Sequence, residues 1–145
     1  MRDIRFRGRD YNGVWRYGYL IYINGGLGIQ EVTEYGPRHD EPCGGIHVES
    51  YSVDPETVGE CCGLKDKNGK DVFGGDIVSY VWVDNPPTPL EVKWDSEMSR
   101  FGLSEIGEDS IYGFNQKDMT ERGEVIGNIY ESPELLEPPR DTVEA

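Results

Sequence analysis

Glycine and proline punctuate this chain too densely for a long helix to run through it. The 19 Gly and 9 Pro of its 145 residues fall between short apolar runs. Glycine opens the positive-φ region that tight turns need, and proline withdraws a backbone donor from any ladder. Short strands joined by many turns follow, so the chain reads as mainly β, with long loops and one short helical turn. Hydrophobic residues are 36% of the sequence and aromatics 11%, enough bulky apolar surface to fold. The length suits one domain. Residues 1–134 are expected to form it, and residues 135–145 an acidic, proline-containing tail that frays.

Period-two alternation places the strands. Residues 3–9 alternate so that Ile4 and Phe6 face a core while Arg5, Arg7 and Arg9 share the opposite face. Val14–Ile23 and Leu27–Thr33 make a hairpin across Asn24-Gly25-Gly26, residues that accept positive φ. Residues 35–45, with two Pro and three Gly, are an exposed loop. Ile46–Val53 is the next strand, and Asp54 before Pro55 caps a single helical turn. Asp66-Lys67-Asn68-Gly69 is a hairpin turn, and Gly74-Gly75-Asp76 leads into Ile77–Val83, the strongest β pattern of the chain. The proline-rich stretch 84–89 is expected to be a loop that no sheet centre admits. After it Leu90, Val92 and Trp94 point inward. Phe101–Leu103 and Ile111–Phe114 are shorter strands. Val125–Tyr130 is the last, with Val125, Gly127 and Ile129 on one face and Ile126 and Tyr130 on the other.

Three ordered motifs carry a likeness to a known family. The first is Met1-Arg2-Asp3-Ile4-Arg5-Phe6-Arg7. The second runs from Val53-Asp54-Pro55-Glu56-Thr57-Val58-Gly59 through Gly63-Leu64-Lys65-Asp66-Lys67-Asn68-Gly69-Lys70 to Gly75-Asp76-Ile77-Val78. The third is Glu124-Val125-Ile126-Gly127-Asn128-Ile129-Tyr130-Glu131 with Pro133, Glu134, Leu135 and Leu136. Together they resemble the YopX family of small phage and prophage proteins over nearly the whole chain. The resemblance implies a β-rich domain containing an SH3-like barrel, and it supplies no catalytic residue because the family's activity is unassigned. The sequence departs from the family pattern at Cys61-Cys62, where an aromatic and a Thr are more usual, and at Gly74, where Glu is expected. Turn chemistry accounts for Gly63, Gly69 and Gly75, and Asp76 is placed to accept a turn amide.

Charge narrows the partners. The net charge is -14, from 28 acidic against 14 basic residues, a field that repels nucleic-acid phosphates and anionic membrane surfaces. Direct nucleic-acid and membrane binding are therefore not expected. No stretch has the ~20 apolar residues of a membrane span, and the N-terminal residues lack the apolar centre of a signal peptide. The expected location is the cytoplasm of a bacterial host. Cys43, Cys61 and Cys62 are odd in number, which argues for reduced thiols over a disulfide framework.

Two constellations carry chemistry. Arg5, Arg7 and Arg9, with Arg2 and Arg16 nearby, make the N-terminal region locally basic. With an aromatic face from Trp15, such a patch suits a nucleotide-like anion, clamped by guanidinium forks and stacked on the indole. The competing reading is cross-strand ion pairing with the many acids. His39, Cys43 and His47, with Cys61 and Cys62 downstream, offer nitrogen and sulfur ligands for zinc, but their spacing matches no standard knuckle, and a solvated loop is preferred. No nucleophile elbow, phosphate loop or dinucleotide fingerprint is present, so no enzyme and no cofactor are expected.

The reading is a phage or prophage accessory protein, a non-enzymatic binding module for a host or phage protein or a small anionic ligand. One alternative is an acidic charge mimic that inhibits a nucleic-acid-binding host protein, whose complex would dissociate steeply with salt. Another is a structural subunit that assembles with itself through sheet edges.

Overall fold

The computed structural model describes residues 5–83 and 86–136. The chain is mainly β and divides into two compact units, Met1–Glu60 and Cys61–Ala145.

The first unit holds β1 (Phe6–Arg9), β2 (Trp15–Ile23), β3 (Gly26–Tyr35) and β4 (Gly45–Ser52), all antiparallel, followed by a 3-10 turn at Pro55–Thr57. Asn24 and Gly25 take φ values of 51° and 81°, which closes the expected hairpin. Strand β2 changes partner midway. Its first half pairs with β1 and its second half, from Tyr19, pairs with β3. Gly18 sits at that change, where a Cβ would run into the Gln30 carbonyl oxygen. Ile29 and Val53 are the buried apolar centre, and Gly8 lies against Val53. Asp54 accepts from the Glu56 amide at 3.1 Å and starts the 3-10 turn as its sequence predicts.

Strand β5 (Gly59–Lys65) carries the chain from one unit to the next. Glu60 and Gly59 pair with β1, and Cys61 and Lys65 pair with β6 (Asp71–Phe73). The sequence reading assigns no strand here, because Gly-Glu-Cys-Cys-Gly lacks any apolar alternation.

The second unit contains β7 (Asp76–Tyr80), β8 (Thr88–Asp95), β9 (Arg100–Glu105), β10 (Tyr112–Gly113), helix α1 (Gln116–Arg122) and β11 (Gly123–Asn128). Its antiparallel sheet has the order β10-β9-β8-β7-β11. The sheet stays open with β10 and β11 at its edges, so no closed barrel forms. One face of it, with Val78, Tyr80, Leu90, Val92 and Leu103, packs with Val72 and with Met119 of the helix. The hairpin turn before β6 is organised by Asp66, whose buried carboxylate accepts from the amides of Asn68, Lys70 and Val125, each at 2.9 Å. Asp76 accepts from the Phe73 amide at 2.8 Å, the turn role its sequence implies.

Several expectations are corrected. Arg7 does not share one environment with Arg5 and Arg9. It is buried at 5% exposure while they are half-buried, because β1 is an interior strand with partners on both sides. Ile4 lies outside the described residues. Thr88 and Pro89 belong to β8, not to a loop; the last pair between β8 and β9 is Leu90↔Glu105, so at Pro89 only β7 lies alongside and no second ladder needs its missing N–H. Trp94 is 51% exposed, beyond the end of the core face, with Phe101 edge-on at 5.1 Å. Strand β7 stops at Tyr80, short of Val83. Strand β11 ends at Asn128 and bulges between Val125 and Gly127, so the simple alternation breaks and Ile126 turns outward. The sequence reading assigns no helix at α1, although Asn115 caps it by accepting from the Asp118 amide at 2.9 Å. Of the expected tail, residues 137–145 lie outside the described residues, and Leu135 closes a 3-10 turn at Pro133–Leu135.

Candidate functional site

The second unit's sheet leaves a cavity at the end of its core face. Along β7, period two puts Val78 and Tyr80 on that face, and Trp82 continues the same spacing just past the strand end. Tyr80 and Trp82 meet edge to face with ring centroids 4.9 Å apart. Strand β8 brings Thr88 opposite Tyr80, and β9 brings Leu103 and Glu105. Tyr112 pairs with Leu103, and Phe114 follows from β10. Together they wall a cavity of about 780 Å³ that Pro86 and Gly113 complete. Among the described residues of its lining, four are aromatic and Glu105 is the one that is charged. Burial, with the Asp118 carboxylate nearby, raises the Tyr80 phenol above its ordinary pKa, against the opposing effect of Arg122.

Such a cavity falls in the size range of small-molecule sites, with apolar walls that supply area and a few polar groups that orient a ligand. Its aromatic faces also favour cations, through the negative potential of the ring face. The sequence reading did not find it. The available signal was two aromatic-x-aromatic triplets, Tyr80-Val81-Trp82 and Tyr112-Gly113-Phe114, each at a strand end.

The predicted anion site lies wholly in the first unit. The Arg7 guanidinium sits over the Trp15 ring, 4.9 Å from its centroid, so the expected pairing of arginine with that indole is present, at a buried position. Arg9 donates from its backbone to Thr57 Oγ1 at 2.8 Å and from Nε to the Gly13 carbonyl at 3.4 Å. Arg16 makes an ion pair with an acid of the kind that the competing reading of cross-strand pairing anticipates. Its Nε lies 3.0 Å from Asp10 Oδ2, and its guanidinium lies 3.6 Å from the Tyr51 ring centroid. The Val14 amide lowers the pKa of Asp10, burial opposes it, and Arg16 adds to the lowering.

The zinc candidates are not assembled. His39 and Cys43 are exposed, Cys61 is buried and Cys62 half-buried, and His47 faces Glu49 at 2.7 Å. Among the described residues, no group of three or more His, Cys, Asp or Glu is placed to hold a metal ion. No helix among them is long and apolar enough to cross a membrane.

Comparison with known proteins agrees with the fold. The crystal structure of protein EF1440 from Enterococcus faecalis is similar at a TM-score of 0.61 and 26% identity, covering 94% of this chain and all of that one. No curated protein matches. The family model for the YopX protein matches residues 15–137, most of the chain and both of its units, and the chain therefore belongs to the YopX family.

Proposed function

We propose that this chain is a non-enzymatic ligand-binding module, an accessory protein of phage or prophage origin working in the host cytoplasm. The aromatic cavity of the second unit is its binding site. The observation that carries this reading is the cavity's lining, with Tyr80, Trp82, Tyr112 and Phe114 as walls and Glu105 as the single charge among the described residues. That lining suits a neutral or cationic organic ligand with a flat or branched apolar body. The same unit is read as an opened SH3-like barrel. Four meander strands and a fifth that returns beside the first after a short helix support this.

The test is titration calorimetry and NMR with benzyltrimethylammonium as cationic probe and benzenesulfonate as its anionic counterpart. The cation should bind in the wild type, and Trp82→Ala should lose most of that binding, since one aromatic–cation contact contributes about 0.5–2 kcal/mol. If neither probe shifts the resonances of the lining residues, the cavity is not a binding site.

A second reading keeps the small anionic ligand. The Arg7 guanidinium held over Trp15 supports it, with Arg5 and Arg9 on the same short segment. Under that reading benzenesulfonate or a nucleoside monophosphate shifts first-unit resonances, and replacing Arg5 and Arg7 by Ala abolishes the shift.

A further inference from the structure

Strand β4 is the outer strand of the first unit's sheet, and no strand pairs with its other side among the described residues. It runs for eight residues, Gly45–Ser52, matched one for one with β3 from Gly28↔Ser52 to Tyr35↔Gly45. Folded proteins protect such an edge with proline, lysine, a bulge or a short length. Strand β4 has no proline, lysine or bulge, and Glu49 is its one acidic side chain: its sequence is Gly-Ile-His-Val-Glu-Ser-Tyr-Ser and its register is unbroken.

The hydrogen-bond phase of this edge follows from two separate observations. The Val53 amide donates to the Leu27 carbonyl at 3.1 Å, so the odd-numbered residues of β4 turn their N–H and C=O toward β3. The two-residue turn at Asn24-Gly25 makes Ile23 and Gly26 a bonded pair, which sends the even residues of β3 toward β2 and the odd ones toward β4, in the same phase. The outward donors and acceptors of β4 therefore belong to Ile46, Val48, Ser50 and Ser52, the last beside the bridge between Asp10 and Val53 that closes this side just past the strand end.

We infer that this edge joins a second copy of the chain, antiparallel about a two-fold axis at Val48. A two-fold axis perpendicular to the sheet keeps each face on its own side, so only residues of like parity pair. Centring on Val48 sets the two Val48 residues opposite each other and Ile46 opposite Ser50 of the second copy, all in the bonded phase. It also sets His47 opposite Glu49 of the second copy, once on each side of the axis. Centring on Glu49 would instead oppose two like carboxylates, which is unfavourable. The Val48-centred register thus satisfies the hydrogen bonding and sets no like charges opposite each other.

Side-chain exposure agrees. Ile46 is 61% and Val48 43% exposed, and Val48 already pairs with Val32 on β3, itself 40% exposed. In the dimer, the row Val32–Val48 would run on into the same row of the second copy and bury an apolar stripe. Within a chain of net charge -14, Glu34 is the charged residue on that face of β3 and β4, so continuing the face into the second copy brings few like charges together.

Sedimentation velocity and light scattering on the full chain, from ~1 to ~100 µM, test this. The expected species at the upper end has twice the 16.4 kDa chain mass. Val48→Pro removes only an outward N–H and should leave the β3 ladder intact. It should weaken the dimer about 30-fold, the effect of losing the two central hydrogen bonds. Val48→Lys, which sets two like charges at the axis, serves if the proline variant does not fold. A monomer throughout the range overturns the inference, and so does a dimer that a folded Val48→Pro or Val48→Lys variant leaves unweakened. A larger complex formed only with added host proteins, the wild type alone being monomeric, likewise overturns it.

Discussion

Replacing Asp66 by alanine should be among the most damaging single changes outside the apolar core. Its carboxylate is 3% exposed and accepts three backbone amides at 2.9 Å: Asn68 and Lys70 within its own turn, and Val125 from β11, 59 residues on. The alanine variant leaves those donors without their acceptor. A hydrogen bond to a charged group contributes about 1.5–3 kcal/mol, but bonds that share one acceptor add less than in full. We expect a loss of about 3–4 kcal/mol, a large part of the 5–15 kcal/mol typical of a native domain. With a urea m-value near 2 kcal/mol/M, the midpoint should fall by ~2 M. Asp66→Asn should lose about half as much, because its remaining oxygen can still serve the turn while its NH2 opposes the Val125 N–H. The assay is equilibrium urea denaturation followed by far-UV circular dichroism at neutral pH. A loss below ~1 kcal/mol for Asp66→Ala would refute the assignment of Asp66 as the anchor between turn and sheet.

The same carboxylate sets a pH dependence. Burial pushes the Asp66 pKa up, but the amides of Val125, Lys70 and Asn68 outweigh it and the net shift is downward; Asp10 is lowered likewise. A carboxylate with a lowered folded pKa stabilises the fold fully above its unfolded pKa of ~3.9 and loses that contribution as pH falls through the folded value. Urea midpoints should therefore hold between neutrality and about pH 5, fall below about pH 4, and fall less in Asp66→Asn. Thiol labelling should be selective: burial pushes Cys62 up to about 11 and Cys61 is buried, so a disulfide reagent at about pH 8 should modify exposed Cys43 first and the other two only on unfolding. Gly18→Ala should cost about 1–3 kcal/mol in the same urea assay, because its Cβ meets a backbone oxygen that cannot move aside without disturbing β3.

The sequence by itself determined what short-range chemistry controls. Asn24-Gly25 and Asp66-Lys67-Asn68-Gly69 fixed two hairpin turns, Asp54-Pro55 fixed a capped 3-10 turn, and the alternation of Leu90 and Val92 fixed an inward face. Family membership was legible for the same reason, since its motifs are mostly those turns. What depends on partners distant in sequence was not legible. Whether Arg7 is exposed depends on β1 having strands on both sides, and Pro89 joins a ladder because β9 has already ended there. Trp94 lies outside because the core face stops before it. The aromatic cavity brings together Tyr80, Trp82, Tyr112 and Phe114 from strand ends about thirty residues apart, a meeting no local spacing encodes. Turn preference is a property of a few adjacent residues, whereas burial and site formation are properties of the pairing order, which only the tertiary structure sets.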